Sequence, residues 1–391
     1  MTSLDGPQRD LGDLRVSAVR GSSKPAHRRG AEDAESTQRS DSAAGFRMPA
    51  EWELHEATWI GWPHNRTDWP GKFATIPWVY GEVARKLAPG EIVRIIVTDK
   101  AHEARARRLL SRAGVDLSRV EFFRFPTNRG WTRDFGPMFV KRDGKQSEVA
   151  IVRFRFNAWA KYRDWEKDNQ VPERAAKALG FRLIRGQVNS RDVVLEGGAI
   201  DVNGRGTLIA TEECLLDRNV QARNPDLSRA EVESVFRDYL GVTNVLWLGR
   251  GIDGDDTHGH VDDLCRFVGP RTVVICSEDN PRDSNHRVLA DAREQLEGMR
   301  LEDGSKIEVV PIPMPAPLSF KGQRLPASYA NFYIANSGVL VPTFNDPTDR
   351  IALGILSELI TDRPVVGIHA VDLVWGLGTM HCMTQQQPRK E

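Results

Sequence analysis

A repeated unit constrains the fold of this chain more than any other feature of its sequence. Four times, an acidic or amide residue stands at the head of a strand-like apolar stretch that soon reaches a turn signal. These leading residues and their stretches are Asp134 with 136–141, Glu196 with 199–202, Asp262 with 264–268 and Asn331 with 332–335. Successive leading residues are 62, 66 and 69 positions apart, and Cys382 lies 51 positions beyond Asn331. If such units repeat around an axis, we expect their leading side chains to converge.

Helix and strand patterns alternate between these units. Ser228 and Glu231 form a capping box and Gly241 is typical of a helix end, while Asp346-Pro347 opens another helix. Asn203-Gly204, after the second unit's strand, favours a type I′ hairpin. Further helices are predicted over 75–88, 101–114, 172–180 and 285–297, and strands over 92–97, 121–125, 181–184, 244–248, 307–312 and 364–368. The sequence therefore predicts an α/β fold.

The composition changes sharply near the N-terminus. Residues 1–46 are rich in Ser, Arg, Asp, Gly and Ala and have few large apolar side chains. Such a segment buries too little surface to offset the entropy of ordering, so we predict a disordered extension over 1–46. Apolar runs and tryptophans begin near Met48, and we predict that 47–391 forms the folded unit.

The balance of charges argues against binding to nucleic acid or membranes, and the cysteines are not spaced as a disulfide framework. Lys plus Arg and Asp plus Glu both total 54, so no excess charge favours nucleic acid or an anionic membrane surface. No apolar stretch reaches the ~18–20 residues of a membrane span, and no signal-peptide core is visible, so we expect a cytoplasmic protein. Cys214, Cys265, Cys276 and Cys382 are widely spaced, which predicts reduced thiols; we assign the first three to the core.

The segment 255–263 packs two histidines and four carboxylates into nine positions. In one interpretation His260 is a general acid and base, with Asp262 on the same strand face aimed at a cationic substrate. In a second, His258, His260 and Asp262 bind a metal ion. A solvated acidic loop is the third interpretation, although it leaves the paired histidines unexplained.

Three further segments fit one chemistry. Trp131 precedes Asp134, which suits an organic cation held by an aromatic face and a carboxylate. Glu196 stands beside two glycines, and Cys382 follows a glycine-rich turn. A guanidinium is planar and can be held by two carboxylates, while its resonance-deactivated carbon requires a strong nucleophile such as a thiolate. These residues therefore predict attack of Cys382 on a guanidinium carbon.

Four motifs carry a resemblance to a known family. They are Trp-x-Arg-Asp-x-Gly-Pro at 131–137, Leu-Glu-Gly-Gly at 195–198, Gly-His-Val-Asp at 259–262 and His-Cys-x-Thr-Gln-Gln at 381–386. In these motifs the chain resembles the agmatine deiminases and the related bacterial peptidylarginine deiminases of the guanidino-modifying pentein superfamily. The resemblance runs from Met48 to Pro388.

The resemblance implies a five-bladed propeller of αββαβ modules around a central pocket, without a metal or organic cofactor. It implies Cys382 as nucleophile, His260 as general acid and base, Glu196 as the partner that orients His260, and Asp134 and Asp262 as guanidinium clamps. Trp131 would line the pocket. The expected reaction is hydrolysis of agmatine to N-carbamoylputrescine and ammonia, and the expected partner is a small guanidino molecule. Two other functions stay open as alternatives, a non-catalytic pentein and a His/Asp metallohydrolase. Assembly into a homo-oligomer also stays open.

Two segments depart from the family pattern. The approach to Cys382 reads Gly376-Leu377-Gly378-Thr379, where the family has three glycines and an asparagine. Leu377 is expected to restrict the backbone if a positive φ is required there, and Thr379 to shorten a pocket side chain. The segment 156–161 follows Arg153 and Arg155. If Arg155 entered the pocket it would favour a substrate carboxylate, as in arginine or a C-terminal peptidyl-arginine; otherwise both arginines face solvent.

Overall fold

The structure, a computed structural model, describes residues 43–145 and 147–390. Ala43 and Phe46 are buried in a hydrophobic cluster, so packed structure includes the last four positions of the predicted extension over 1–46. The remainder of that prediction, residues 1–42, lies outside the described residues. Within the two described ranges, no helix combines the length and apolar character that crossing a bilayer requires.

The described chain folds into alternating helices and strands. Its α-helices are α1 (Ile76–Leu87), α2 (Lys100–Arg112), α3 (Thr132–Phe135), α4 (Val171–Leu179), α5 (Glu212–Leu216), α6 (Arg229–Leu240), α7 (Ser284–Gly298) and α8 (Thr348–Leu359). Short 3-10 turns occupy Leu117–Arg119, Asp168–Gln170, Gly197–Ala199, Val261–Asp263 and Leu373–Gly376.

The strands of the first half are β1 (His55–Gly61), β2 (Ile92–Val97), β3 (Val120–Arg124), β4 (Met138–Arg142), β5 (Glu148–Arg153), β6 (Arg182–Arg185), β7 (Gln187–Val188), β8 (Arg191–Asp192), β9 (Ile200–Val202) and β10 (Thr207–Thr211). Those of the second half are β11 (Asn244–Leu248), β12 (Cys265–Phe267), β13 (Thr272–Ser277), β14 (Glu308–Pro313), β15 (Ser319–Phe320), β16 (Gln323–Arg324), β17 (Tyr333–Ala335), β18 (Gly338–Thr343), β19 (Val365–His369) and β20 (Thr384–Pro388).

Five sheets share a strand pattern in which an antiparallel pair is extended by a parallel strand, and the first sheet has a second parallel strand beyond it. The sheets are β20-β1-β2-β3, β4-β5-β6, β9-β10-β11, β12-β13-β14 and β17-β18-β19. In the first sheet the antiparallel partner of β1 is β20, from the C-terminal end of the chain. β20 follows Cys382 and has the place in this sheet that β4 has in the next one, so the first strand of this antiparallel pair comes from the C-terminal end of the chain. The chain has a mixed α/β fold.

Local signals account for most element boundaries. Ser228 and Glu231 form the predicted capping box on α6, and Gly241 ends that helix with a φ of 70°. The predicted helices and the six predicted strands correspond to observed elements, with ends shifted by at most two residues. The main apolar cluster contains Trp59, Trp69 and Tyr80, and a second cluster packs α6 against β9 and β10.

The predicted type I′ turn at Asn203-Gly204 is wrong. A type I′ turn needs a positive φ at both central residues, and Asn203 is not among the described residues that have one. Instead the Asn203 side chain accepts hydrogen bonds from the backbone N–H groups of Arg205 and Thr207. The loop is therefore longer, and Gly204 and Gly206 supply its positive φ angles.

Candidate active site

Short helical turns position three of the four leading residues and bring them together. Asp134 lies in α3, Glu196 caps the turn Gly197–Ala199, and Asp262 lies in the turn Val261–Asp263. Each turn precedes the antiparallel pair of its own sheet. His260 caps the third turn and does not lie on a strand, so the prediction of a shared strand face with Asp262 is wrong, although the two side chains still meet.

His260 stands at the centre of three carboxylates. Its Nδ1 lies 3.9 Å from Asp134 Oδ1 and 3.9 Å from Asp262 Oδ1, and its Nε2 lies 3.8 Å from Glu196 Oε2. Among the described residues, neither ring nitrogen has a hydrogen-bond partner, nor do Asp262 Oδ1 and Glu196 Oε2. Buried polar atoms are rarely left unpaired, so this cluster has the features of a site that receives hydrogen-bond donors from a ligand.

Gly198 marks the point where these groups converge. A Cβ built on Gly198 would lie 2.6 Å from His260 Nδ1, 2.9 Å from Asp134 Oδ1 and 3.0 Å from Asp262 Oδ2. The backbone N–H of Gly198 also donates to Asp134 Oδ1, at 3.1 Å. Only glycine leaves room for all three side chains, which gives a physical reason for the glycine after Glu196-Gly197.

Cys382 joins the cluster through Asp262. Its Sγ lies 3.7 Å from Asp262 Oδ2 and accepts a hydrogen bond of 3.1 Å from Asn331 Nδ2. Asn331, the fourth leading residue, is itself held by Thr379, which donates to its Oδ1 at 2.7 Å. Thr379 therefore supports Asn331, and it is not among the residues that line the neighbouring cavity.

That cavity has a volume of about 290 Å³ and is bordered by both Cys382 and Asp134. Trp131 lines it together with Trp159 and Tyr162. Glu196, His260 and Asp262 are not among its lining residues and are almost completely buried. The cavity thus presents a thiol, several carboxylates and aromatic faces, which suits a cationic molecule with an aliphatic portion.

Trp159 is a site residue that the sequence interpretation did not assign. Its Nε1–H donates to Asp134 Oδ2 at 2.9 Å and so fixes the second oxygen of that carboxylate. Ala158, Trp159 and Ala160 have φ angles of 51°, 57° and 52°, a left-handed turn unusual for residues other than glycine. The turn directs the indole toward Asp134.

The electrostatics favour a protonated His260 and a protonated Cys382 in the free protein. Burial, reinforced by the negative charges of Asp262, Asp263 and Asp134, raises the pKa of the Cys382 thiol well above its ordinary value. Burial alone would lower the pKa of His260, but Asp134, Cys214 and Glu196 together raise it well above its ordinary value. Burial also raises the pKa of Asp134 to about 6.

Arg223 holds Glu196 in its ionised form. Burial opposes ionisation of Glu196, but the Arg223 guanidinium, 3.2 Å away from Glu196 Oε1, and His260 lower the pKa of that carboxyl group to about 2. Both partners are fully buried. Glu196 therefore carries a negative charge next to His260 at neutral pH.

Several sequence interpretations need correction here. Arg155 is exposed, stacks over the Trp165 ring at 5.0 Å and lines a separate cleft, so the structure contradicts its suggested contact with a substrate carboxylate in the cavity. Arg153 pairs with Asp192. Cys214 is buried as predicted, and it lies in α5 next to His260 and Glu196.

The alternative metal site does not form. His258 Nε2 is 3.0 Å from Asp217 Oδ2, and His258 does not belong to either described group of side chains that could share an ion. His258, His260 and Asp262 therefore do not gather around one point in the described chain. Leu377 does adopt the positive φ anticipated for its position, 68°, and it lines the cavity.

A buried thiol and a carboxylate border one cavity of this α/β fold, and the same cluster contains an imidazole and two further buried carboxylates. These groups define a protein equipped for nucleophilic chemistry on a cationic group. Residues 47–388 match the family model of Porphyromonas-type peptidyl-arginine deiminases. The chain belongs to this family.

The chain matches individual relatives over nearly their whole length. The agmatine deiminase of Pseudomonas aeruginosa (strain LESB58) is 37% identical over 376 residues, which span 90% of this chain and 97% of the relative. The structure of the agmatine deiminase of Enterococcus faecalis is similar, with a TM-score of 0.80, 31% identity, and coverage of 88% of this chain and 96% of that one. A C. jejuni agmatine deiminase with substrate bound has a TM-score of 0.77 and 28% identity, and covers 88% and 97%.

Proposed function

We propose that this protein hydrolyses the guanidinium group of agmatine, giving N-carbamoylputrescine and ammonia. The observation that carries the proposal is the convergence of Asp134, Asp262 and Glu196 on His260, with Cys382 beside Asp262. The names and similarity of the relatives point to the same reaction. The small-molecule partner is therefore a guanidino compound.

Asp134 and Asp262 are suited to hold the guanidinium flat. Each presents an oxygen toward the space beside Gly198, and Asp262 Oδ1 has no partner in the described structure. A guanidinium has five N–H donors in a plane, so two carboxylates can bind it from two sides. Its positive charge would offset the carboxylates that oppose ionisation of Cys382, so substrate binding itself would favour the thiolate.

The reaction then follows in two stages. The Cys382 thiolate forms a C–S bond to the guanidinium carbon, and His260 donates a proton to one nitrogen, which leaves as ammonia when its C–N bond breaks. His260, now neutral, removes a proton from a water molecule that attacks the thiouronium carbon. The C–S bond then breaks, the hydroxyl oxygen releases its remaining proton to the solvent, and the ureido product forms as the thiolate is restored; the released ammonia and this proton together make ammonium. Glu196 stabilises the imidazolium of His260 in each resting state.

The charges that line the cavity favour agmatine over arginine. Asp68, Asp134, Asp164 and Asp256 line it, and Arg129 is the one cation among its described lining residues. Arg129 is already engaged, with Nη1 2.7 Å from Asp68 and Nη2 2.7 Å from Asp164. An excess of carboxylates attracts the free amine of agmatine and repels the carboxylate of arginine.

We further propose that the five sheets are the blades of a propeller whose axis passes through this site. The support is the common strand pattern of the sheets and the meeting of their leading residues. In that arrangement β20 closes the ring by pairing with β1.

Parallel measurement of ammonia release from agmatine, arginine and a C-terminal-arginine peptide tests the proposed function. We expect release from agmatine, far slower release from the other two, and none above background in Cys382→Ala. Cys276→Ala is the matched control, because it removes a buried thiol from β13 outside the cluster. Agmatine binding without ammonia release would instead favour a binding protein, and preferential turnover of the arginine substrates would refute the proposed specificity.

A further inference from the structure

His381, next to the proposed nucleophile, lies between two carboxylates. Its Nδ1 is 2.6 Å from Asp262 Oδ2 and its Nε2 is 2.9 Å from Glu51 Oε2. The side chain is 2% exposed, so water does not compete for either nitrogen. An ionised carboxylate only accepts hydrogen bonds, so two such contacts require a proton on both ring nitrogens.

The surrounding charges support an imidazolium at His381. Glu51 also contacts Arg133 at 3.1 Å and Arg266 at 3.0 Å, and Arg266 reaches Asp201 at 3.1 Å. This buried network contains three carboxylates, on Glu51, Asp201 and Asp262, and two guanidinium groups. A positive charge on His381 makes the network neutral, whereas a neutral ring would leave one negative charge uncompensated in the interior.

The position of His381 gives the two carboxylate oxygens of Asp262 different contacts. Oδ2, which His381 binds, is the oxygen that lies 3.7 Å from Cys382 Sγ. Oδ1 has no partner among the described residues and lies 3.9 Å from His260 Nδ1. His381 thus neutralises the oxygen that faces the sulfur and leaves the other oxygen free for a ligand.

We propose that His381 is a positioning residue with a proton on each ring nitrogen, which fixes Asp262 for guanidinium binding and lowers the cost of forming the Cys382 thiolate. The proposal deepens the proposed function and rests on it for the roles of Asp262 and Cys382. The protonation of His381 itself follows from the geometry alone and can be measured without turnover.

The groups that face Cys382 determine how readily its thiol ionises, and His381 acts on this ionisation. Asp262, Asp263 and Asp134 oppose the thiolate, and the Asn331 amide favours it through its hydrogen bond. His260 faces the same carboxylates. Besides its contact with Glu51, Arg133 binds the backbone here: its backbone N–H donates to the carbonyl oxygen of Cys382, and its Nε–H donates to that of His381. The side chain of His381 is therefore the cation bound directly to the carboxylate oxygen nearest the sulfur.

Neutron diffraction from the wild-type protein at pH 8 tests the protonation state. We expect hydrogen isotopes on both Nδ1 and Nε2 of His381. His102 is the internal control: it is also buried, its Nδ1 accepts from the backbone N–H of Thr98, and burial lowers its pKa to about 4, so it should carry one ring proton. A bare nitrogen on His381 at this pH would overturn the proposal.

Alkylation of Cys382 by iodoacetamide as a function of pH tests the effect on the thiol. In His381→Gln, whose amide matches neither the charge nor the two-sided contact, we expect the apparent pKa of alkylation to rise by about one unit or more. In His102→Gln it should stay at the wild-type value. A folded His381→Gln protein with an unchanged alkylation pKa would refute the effect on the thiol. If His381→Gln does not fold, the neutron result still decides the protonation state on which that effect depends.

These two measurements separate the proposal from the proposed function. A protein that releases no ammonia from agmatine, yet has a doubly protonated His381 and the shifted alkylation pKa, would retain this inference and lose the assigned reaction. A protein that releases ammonia from agmatine, but has one bare ring nitrogen on His381 and an unchanged alkylation pKa in His381→Gln, would retain the assigned reaction and refute this inference.

Discussion

Gly198→Ala is expected to reduce the catalytic activity strongly while leaving the fold intact. The added Cβ would lie 2.6 Å from His260 Nδ1, 2.9 Å from Asp134 Oδ1 and 3.0 Å from Asp262 Oδ2, where ordinary contacts begin at 3.4 Å. The three side chains would have to retreat by roughly 0.4–0.8 Å, and a misplacement near ~1 Å can cost about 10²-fold in rate. Since three groups move together, we expect kcat/KM for agmatine to fall by about 10²–10³-fold, or roughly 3–4 kcal/mol.

The assay is ammonia release together with thermal unfolding. Overpacking costs about 1–3 kcal/mol of stability, so the variant should still be folded at 25 °C. Gly249→Ala is the matched control, since its Cβ would meet nothing within 4 Å, and it should behave like the wild type. A folded Gly198→Ala protein with more than about one-tenth of wild-type kcat/KM would refute the convergence of these groups on the reacting centre.

Three further outcomes follow from the structure. Arg223→Met removes the guanidinium that binds the buried Glu196 carboxylate and leaves only His260, 3.8 Å away, to offset its charge, so it should lower the free energy of unfolding by about 3–5 kcal/mol at pH 7. Because Arg223 and His260 lower the pKa of Glu196 to about 2, this loss of stability is complete above the ordinary pKa of 4.5 and should shrink in unfolding experiments as the pH falls toward 2. Asp134 must be ionised to bind a guanidinium, and its pKa is raised to about 6, so kcat/KM should decline below that pH, and a profile flat to pH 5 would contradict this. Ala160→Gly, at a φ of 52° and an exposed position, should stabilise the protein by up to about 1 kcal/mol in urea unfolding, whereas Ala104→Gly within α2 should destabilise it by a similar amount.

The local elements could be predicted from the sequence because their signals are local. The capping box at Ser228 and Glu231 determines the start of α6, and the alternation of helix and strand indicates the α/β class. The turn at Asn203 could not be predicted from its dipeptide, because the Asn203 side chain bonds to two backbone N–H groups further along and lengthens the loop. Competition between a side chain and the backbone is decided by geometry that composition does not reveal.

The meeting of the leading residues was predictable from their spacing, but the side chains that hold the site residues in place were not. Trp159 and Arg223 bind Asp134 and Glu196 from 25 and 27 positions away in the chain. Glu51 reaches His381 across 330 positions. Contacts of such sequence separation depend on how the sheets pack, and neither residue type nor local pattern distinguishes them from ordinary buried ion pairs and core tryptophans.

Mass spectrometry of the protein quenched in acid during turnover of agmatine tests whether Cys382 forms the covalent intermediate. We expect the peptide containing Cys382 to gain the mass of agmatine less one ammonia, and Cys382→Ala to show neither this adduct nor ammonia release. Undiminished ammonia release by Cys382→Ala, or an adduct carried by another residue while Cys382 stays unmodified, would refute Cys382 as the nucleophile.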